Sequence, residues 1–376
     1  MRIAQVAPLC ESVPPKLYGG TERVVSWLTE ELVRQGHQVT LFASGDSETR
    51  ARLVPVYREA LRLGHVVDAL TPHVLLVEEV ARRAERFDII HFHIAQLHFP
   101  IARRLQTPHV TTLHGRLDLP ELAPFYREFD DIPVVSISDA QRAPLPEANW
   151  IATIHHGLPD TLLRFNPRPE GYLAFLGRIS PEKRVDRAIA IAKACGLPLR
   201  IAAKVDPADA DYFNRNIRPL LSDPLVQFVG EIGDDDKGRF LGGANALLFP
   251  IDWPEPFGLV MIESLACGTP VIAFRGGSVS EVLEDGVTAL LVNSVAEAIE
   301  ATRHVNKLDR RRCRENFDRR FSVTRMATDY VELYTQLIER RQSAADPGAL
   351  WKMPYASTSR STSLPTPSAR PHHSAS

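Results

Sequence analysis

The chain holds 376 residues, enough for two domains of ordinary size, each with a core of its own. Its 44% apolar, 24% charged and 7% aromatic residues give a globular composition rather than a disordered or fibrous one. With 44 Lys and Arg against 46 Asp and Glu, the net charge of −2 speaks against a protein that works by neutralising nucleic-acid phosphates.

The first strand is expected at Arg2 to Ala7. Arg2 runs straight into it and then into Pro8 and Glu11, which is not the order of a signal peptide, so the cytoplasm is the expected compartment. The longest apolar runs, such as Ala246 to Pro250, fall far short of the roughly 20 residues of a spanning helix, and no stable membrane insertion is expected. Cys10, Cys195, Cys267 and Cys313 have no paired spacing and read as reduced core residues. Short β-branched runs then alternate with stretches of helical period, the pattern of parallel strands joined by helices. A helix is expected from Thr21 to Gln35, with Val24, Val25, Leu28 and Leu32 on one face and Gly36 as its stop. Strands follow at Val39–Ala43, Ile89–His93, Val110–Leu113, Val134–Ile137 and Ile151–Ile154. The stretch Gly157 to Gly171 carries little period and reads as a linker. A second series comes after it, at Tyr172–Leu176, Leu199–Ala203, Val226–Val229, Ala246–Phe249, Val271–Ala273 and Leu290–Val292. Val323 to Ile338 is a last long helix with Met326, Tyr330, Leu333 and Leu337 on one face. From Ser343 the composition turns to Ser, Thr, Pro, Ala and His, a disordered tail in which only Trp351 and Tyr355 stand out as able to pack. The expected fold is α/β, with two doubly wound Rossmann-like halves.

In such halves, ligands bind in the crevice at the carboxyl ends of the strands, so the turns after strands hold the candidates. After the first strand, Gly19-Gly20-Thr21-Glu22 lets backbone approach a ligand and offers a helix start to an anion. The competing reading is a plain turn with Thr21 as N-cap. Neither a Gly-x-Gly-x-x-Gly nor a Gly-Lys-Ser/Thr P-loop occurs there, which weakens nicotinamide and ATPase readings. The second half opens with a strand ending in Gly177-Arg178, and Lys183 follows on the expected first turn of the next helix, two cations that suit one anion. A solvated helix turn is the alternative for Glu182, Lys183 and Arg184. Between Pro254 and Pro256, Glu255 is held outside regular structure, and Phe257-Gly258-Leu259 begins an apolar helix bearing Glu263 two turns along. A carboxylate on such a helix needs a partner, and sugar hydroxyls are suitable ones.

These marks, with His114-Gly115 and Gly276-Gly277 followed by Glu281, resemble the retaining family 4 glycosyltransferases of the GT-B fold over roughly residues 1 to 340. The resemblance implies an acceptor domain at 1–165, a nucleotide-sugar domain at 170–322, and a helix at 323–341 that crosses back to the first domain, ahead of the tail at 343–376. It implies that Arg178 and Lys183 clamp the donor diphosphate, that Glu263 holds the ribose and Glu255 the hexose hydroxyls. It further implies that backbone at Phe257, Gly258 and Leu259 touches the sugar and phosphates, that Gly19 and Gly20 lie against the diphosphate, and that His114 sits at the face of the reacting sugar. The implied reaction moves a hexose from a nucleoside-diphospho-sugar to a hydroxyl acceptor, UDP-glucose being favoured and GDP-mannose next by their frequency in that family. The leaving phosphate would take the acceptor's proton, so Glu255 reads as a hydroxyl-positioning group; the role of Asp118 stays open.

No cofactor or metal is expected. Asp234-Asp235-Asp236 carries an Asp-x-Asp pattern, but it opens a helix, where acidic residues favour the positive dipole end. The histidines, ten of them before residue 157, include His91-x-His93 on a strand, yet His93, His98 and His109 need not meet. The first 160 residues hold 16 basic against 20 acidic side chains, a net of −4 that favours a soluble acceptor over an anionic lipid surface. Other readings are a sugar-nucleotide epimerase of the same architecture, a non-catalytic nucleotide-sugar-binding protein, and a nicotinamide oxidoreductase. The Glu255/Glu263 pair speaks against the first, the retained cations and carboxylates against the second, and the missing phosphate fingerprint against the third.

Overall fold

Parallel strands buried on both faces need near-continuous apolar runs, and the chain supplies them in two series that form two sheets. The computed structural model describes residues 1–16, 19–64 and 66–345. The tail from residue 346, with Trp351 and Tyr355, and the two residues 17 and 18 of the glycine turn lie outside the described residues. The first sheet holds β1 (Arg2–Val6), β2 (Gln38–Ser44), β3 (Arg52–Tyr57), β4 (Ile89–Phe92), β5 (His109–Thr112), β6 (Val134–Ser136) and β7 (Trp150–Thr153), in the order β3-β2-β1-β4-β5-β6-β7. The second holds β8 (Tyr172–Arg178), β9 (Leu199–Lys204), β10 (Val226–Gly230), β11 (Ala244–Phe249), β12 (Val271–Phe274) and β13 (Ala289–Val292), in the order β10-β9-β8-β11-β12-β13. In each, the strand order reverses beside the first strand, between β1 and β4 and between β8 and β11. A doubly wound sheet leaves its ligand crevice at that point.

Each expected strand is present within two residues of its expected ends. The strand absent from the sequence reading is β3, an edge strand that pairs with β2 alone and carries Pro55, a residue that demotes a run in a sequence yet is tolerated at a sheet edge. The first helix runs Gly20–Arg34 with Gly19 as its N-cap and no side-chain cap, so Thr21 lies inside the helix and does not cap it.

The last helix, Val323–Ala345, runs past its expected end. It buries Met326, Ala327, Tyr330, Leu333 and Tyr334 and returns to the first sheet, where the Tyr334 hydroxyl meets His91 Nδ1 at 2.6 Å and the Tyr330 hydroxyl meets Thr112 Oγ1 at 2.8 Å. Just before this helix, Ser322 bridges Leu158 at the start of the connecting stretch, so the chain leaves and re-enters the first half at one place. Residues Met1–Ile338 form one compact unit that includes both sheets. Among the described residues, no helix is long and apolar enough to cross a membrane.

Candidate active site

Both sheets open onto one cleft of about 390 Å³. From the first half it is lined by Gly19, Gly20 and Arg23 after β1, by His114 after β5 and by His156 after β7. The second half contributes Arg178 at the end of β8 and Lys183 after it, Lys237 after β10, and Glu255, Phe257, Gly258, Leu259 and Glu263 after β11. The structure therefore brings together every residue that the sequence pointed to for catalysis or donor binding. Across the cleft, a Cβ placed on Gly20 would lie 3.8 Å from Leu259, so the glycine turn of one half faces the helix start of the other.

Glu255 is buried in its loop, and the Lys183 ammonium donates to its Oε2, as does the Trp253 indole N–H at 3.1 Å. The same ammonium stands 5.0 Å from the centre of the Trp253 ring, within the reach of a cation–π contact. Gly277 shapes this loop. Its φ is +52°, and a Cβ there would fall 2.3 Å from the carbonyl oxygen and 2.4 Å from the nitrogen of Glu255, so only glycine lets the β12 loop pack against it. The next residue fastens the contact, with Ser278 N–H donating to the Glu255 carbonyl at 2.9 Å.

Lys183 is not on a helix's first turn as expected. It closes a single 3-10 turn, Pro181–Lys183, and Arg184, with a left-handed φ of 52°, separates it from the helix Val185–Cys195. Arg178 shares its charge with Glu182 at 2.5 Å and Asp209 at 3.4 Å. Glu263 is the fifth residue of the helix Leu259–Ala266, one turn along rather than two. It is buried and accepts from Lys237 at 2.8 Å. Burial works against the charge of Lys237, but Glu263 and Asp234 outweigh it and hold its pKa above the ordinary lysine value. Asp234 opens the helix Asp234–Gly242 and also takes Arg23 from the first half, so its carboxylate is committed to two cations. Among the described residues, no three His, Cys, Asp or Glu side chains are arranged to hold a metal ion.

The His114 imidazole stacks on His156 at 5.2 Å between ring centres, and His156 stands edge-on to Phe257 at 4.9 Å. Burial pushes the His114 pKa down to about 3, so the ring is neutral at physiological pH. The candidate metal histidines find other partners, His91 in Thr112 and Tyr334, His98 in Thr111, and His93 in Gln5 and His114. Asp118 forms an ion pair with Arg116 at 2.7 Å and does not line the cleft. Nor does Glu281. Its carboxylate accepts the N–H groups of Asp139 at 2.8 Å and Ala140 at 3.2 Å and meets His155 at 2.7 Å, which ties the second half to the first. Sequence reasoning missed Arg23, His156 and Lys237. His156 lies three residues after β7, whereas Arg23 and Lys237 sit on the helices Gly20–Arg34 and Asp234–Gly242, and the partners of both come from distant parts of the chain.

The family model described as Glycosyl transferases group 1 matches residues 164–320, and that described as Glycosyltransferase Family 4 matches residues 18–143. Among curated proteins, the chain is 35% identical over 132 residues to a D-inositol 3-phosphate glycosyltransferase of Mycobacterium avium, covering 34% of this chain and 30% of that one. It is 26% identical over 226 residues to an uncharacterized glycosyltransferase of Methanocaldococcus jannaschii, covering 55% and 62%. The chain thus spans less than two thirds of the curated relatives it matches. Among solved structures, AviGT4, a glycosyltransferase involved in avilamycin A biosynthesis, superposes with a TM-score of 0.70 at 25% identity over 90% of this chain and 98% of that one. The Anabaena protein HepE, solved in complex with UDP, gives 0.67 at 19% identity over 89% and 100%, a likeness of fold. With both halves matched in order on two facing sheets, the chain belongs to the family 4 glycosyltransferases of the GT-B fold.

Proposed function

We propose that the protein is a retaining glycosyltransferase that moves a hexose from a nucleoside-diphospho-sugar, UDP-glucose first and GDP-mannose next, to a soluble hydroxyl acceptor. The observation that carries this is the pairing of Lys183 with Glu255 in a cleft that also holds Arg178 and the helix start at Leu259. Each of these cations rests on a carboxylate, Arg178 on Glu182 and Lys183 on Glu255. A diphosphate offers Lys183 and Arg178 a stronger partner and releases Glu255, still oriented by Trp253, towards the sugar hydroxyls. The HepE structures, solved in complex with UDP and with UDP-glucose, support a nucleotide-sugar as the donor. The inositol phosphate in the mycobacterial relative's name supports a small polar acceptor.

In the reaction, the bond between the sugar's anomeric carbon and the phosphate oxygen breaks, and its electron pair stays on the diphosphate, where Arg178 and Lys183 stabilise it. The acceptor oxygen bonds the same carbon from the same face, and its proton passes to the departing phosphate oxygen. Glu255 holds the hexose while the ring gains positive character. Neutral His114 adds no opposing charge there. Arg178, Lys183 and the helix dipole at Leu259 neutralise the leaving group without a metal ion.

Incubation with UDP- and GDP-sugars tests the reading. Release of nucleoside diphosphate, raised by an added polyol or sugar acceptor, is expected, with the anomeric configuration kept in the product. An epimerised sugar nucleotide with the diphosphate still attached, or binding without turnover, would overturn it.

A further inference from the structure

A buried line of side chains runs from the cleft to the returning helix Val323–Ala345. His114 Nε2 stands 2.9 Å from His93 Nδ1, and His93 Nε2 stands 2.7 Å from Gln5 Oε1. Gln5 Nε2 then reaches the Tyr334 hydroxyl at 3.1 Å, which reaches His91 Nδ1 at 2.6 Å, and His91 Nε2 meets Thr112 Oγ1 at 2.7 Å. Thr112 closes the line on the Tyr330 hydroxyl. Gln5, His91, His93, Thr112, Tyr330 and Tyr334 are each buried, so every link beyond the half-buried His114 excludes water.

The direction of the protons follows from one end. His114 Nδ1 is sealed from solvent and has no hydrogen-bond partner. A proton there would be a buried, orphaned donor, which costs more than an idle lone pair. The single proton of His114 therefore sits on Nε2 and is donated to His93 Nδ1. His93 must then carry its own proton on Nε2 and donate it to Gln5 Oε1, which turns the Gln5 amide N–H to the Tyr334 hydroxyl. Tyr334 donates onward to His91 Nδ1, and His91 Nε2–H to Thr112. Each link donates to the next, and none has room for a second proton. Burial also pushes His91 and His93 well below the ordinary histidine pKa, in keeping with one proton on each ring.

We propose that Tyr334, Gln5 and His93 are positioning residues that lock His114 as a neutral ring protonated on Nε2, so that the returning helix governs the state of the cleft histidine. The benefit rests on the glycosyl-transfer reading. A sugar ring that gains positive charge is opposed by an imidazolium beside it and not by a neutral ring. The titratable groups around His114 include His93, His91 beyond it and the stacked His156, which has Arg325 near it, so a charge on His114 would be opposed on those sides too.

Nitrogen-15 NMR of histidine-labelled, ligand-free protein tests the lock without any turnover. The wild type is expected to show His114 protonated on Nε2 alone at neutral pH. In Gln5→Met, His93 loses its acceptor and turns its proton towards His114, so Nδ1-protonated His114 should emerge. Tyr334→Phe, which removes one oxygen and keeps the packing, should give a mixture. Both variants should lose about tenfold in kcat because the cleft histidine no longer holds one protonation state, with affinity for free UDP or GDP unchanged. Wild-type His114 protonated on Nδ1, or both variants keeping the wild-type tautomer, overturns the proposal. Lower melting temperatures with unaltered tautomer and kcat would reveal a merely structural network and overturn it as well. If no nucleotide-sugar is turned over, the glycosyl-transfer reading fails, and the NMR arms still decide the lock.

Discussion

Lys183 and Glu255 sit on one another with side-chain exposures of 18% and 9%, so neither can be removed without stranding the other. Lys183→Ala and Arg178→Ala should each lower turnover on the order of a hundredfold, about 2.7 kcal/mol of transition-state stabilisation. Unchanged turnover in both folded variants would refute the diphosphate clamp. The two glutamates separate by the step at which they act. Glu263 is assigned to a ribose that is bound alike before and during reaction, so Glu263→Gln should chiefly weaken donor and nucleoside diphosphate binding; Glu255→Gln should chiefly lower kcat. The Lys237–Glu263 pair gives the rival account weight, since two such buried partners can serve to fasten one helix to the next. Titration of free nucleoside diphosphate alongside melting curves decides. Equal nucleotide affinity in wild type and Glu263→Gln, with a lower melting temperature, leaves Glu263 as a fastener only. Arg178, Lys183, Glu255 and Glu263 were legible in the sequence because Arg178 ends its strand, Lys183 and Glu255 follow theirs in Pro-bearing turns, and Glu263 is the lone carboxylate on an apolar helix. Lys237 was not, because its meaning comes from Glu263, which lies 26 residues away.

At the scale of elements, strands and the order of halves were legible because a parallel strand writes its burial directly as an apolar run. What escaped depends on single backbone angles or on an edge. Arg184 adopts the left-handed region without being glycine, so nothing in the sequence marked the break that takes Lys183 off the helix. The strand β3 has a partner on one side only, and half-buried Arg52 to Tyr57 shows too weak a pattern. The helix Asp234–Gly242 shows how an element settles a motif. Three acidic residues fill its first turn, as the helix dipole favours, and Asp234 spends its charge on Arg23 and Lys237. With Asp234 committed in this way and Asp235 and Asp236 at the positive end of the helix dipole, the cluster is explained without a cation, so excess chelator should leave most of the activity in place. Complete loss with chelator, restored by magnesium or manganese, would turn Asp234 to Asp236 into a metal site after all.

The whole molecule stakes its first half on keeping imidazoles neutral. His91, His93, His98, His114 and His156 all have pKa values lowered by burial, four of them well below the ordinary value and His114 to about 3. In the unfolded chain, each takes up a proton near pH 6.5, so below that pH the unfolded state binds more protons than the folded one. Their contribution to stability is therefore intact above about pH 6.5 and is lost as pH falls, by about 1.4 kcal/mol per pH unit for each ring. Glu22 works the other way. Burial raises its pKa to about 7, so the folded state holds its proton first, and its contribution grows as pH falls from about 7 towards 4.5. Burial raises the Glu11 and Asp160 carboxyls too, but the five deeply buried rings outweigh these carboxyls and leave a net loss on the order of a few kcal/mol between pH 6.5 and 5, a large share of the roughly 5–15 kcal/mol that holds a typical fold together. The melting temperature should fall by about 5 °C or more from pH 7.5 to pH 5.0. His98→Gln, away from the cleft, should reduce the slope of unfolding free energy against pH by one proton, whatever it does to stability at pH 7.5. A melting temperature that stays level across that range would mean the five rings are already charged in the folded protein, and the neutral His114 on which the lock depends would fall with them.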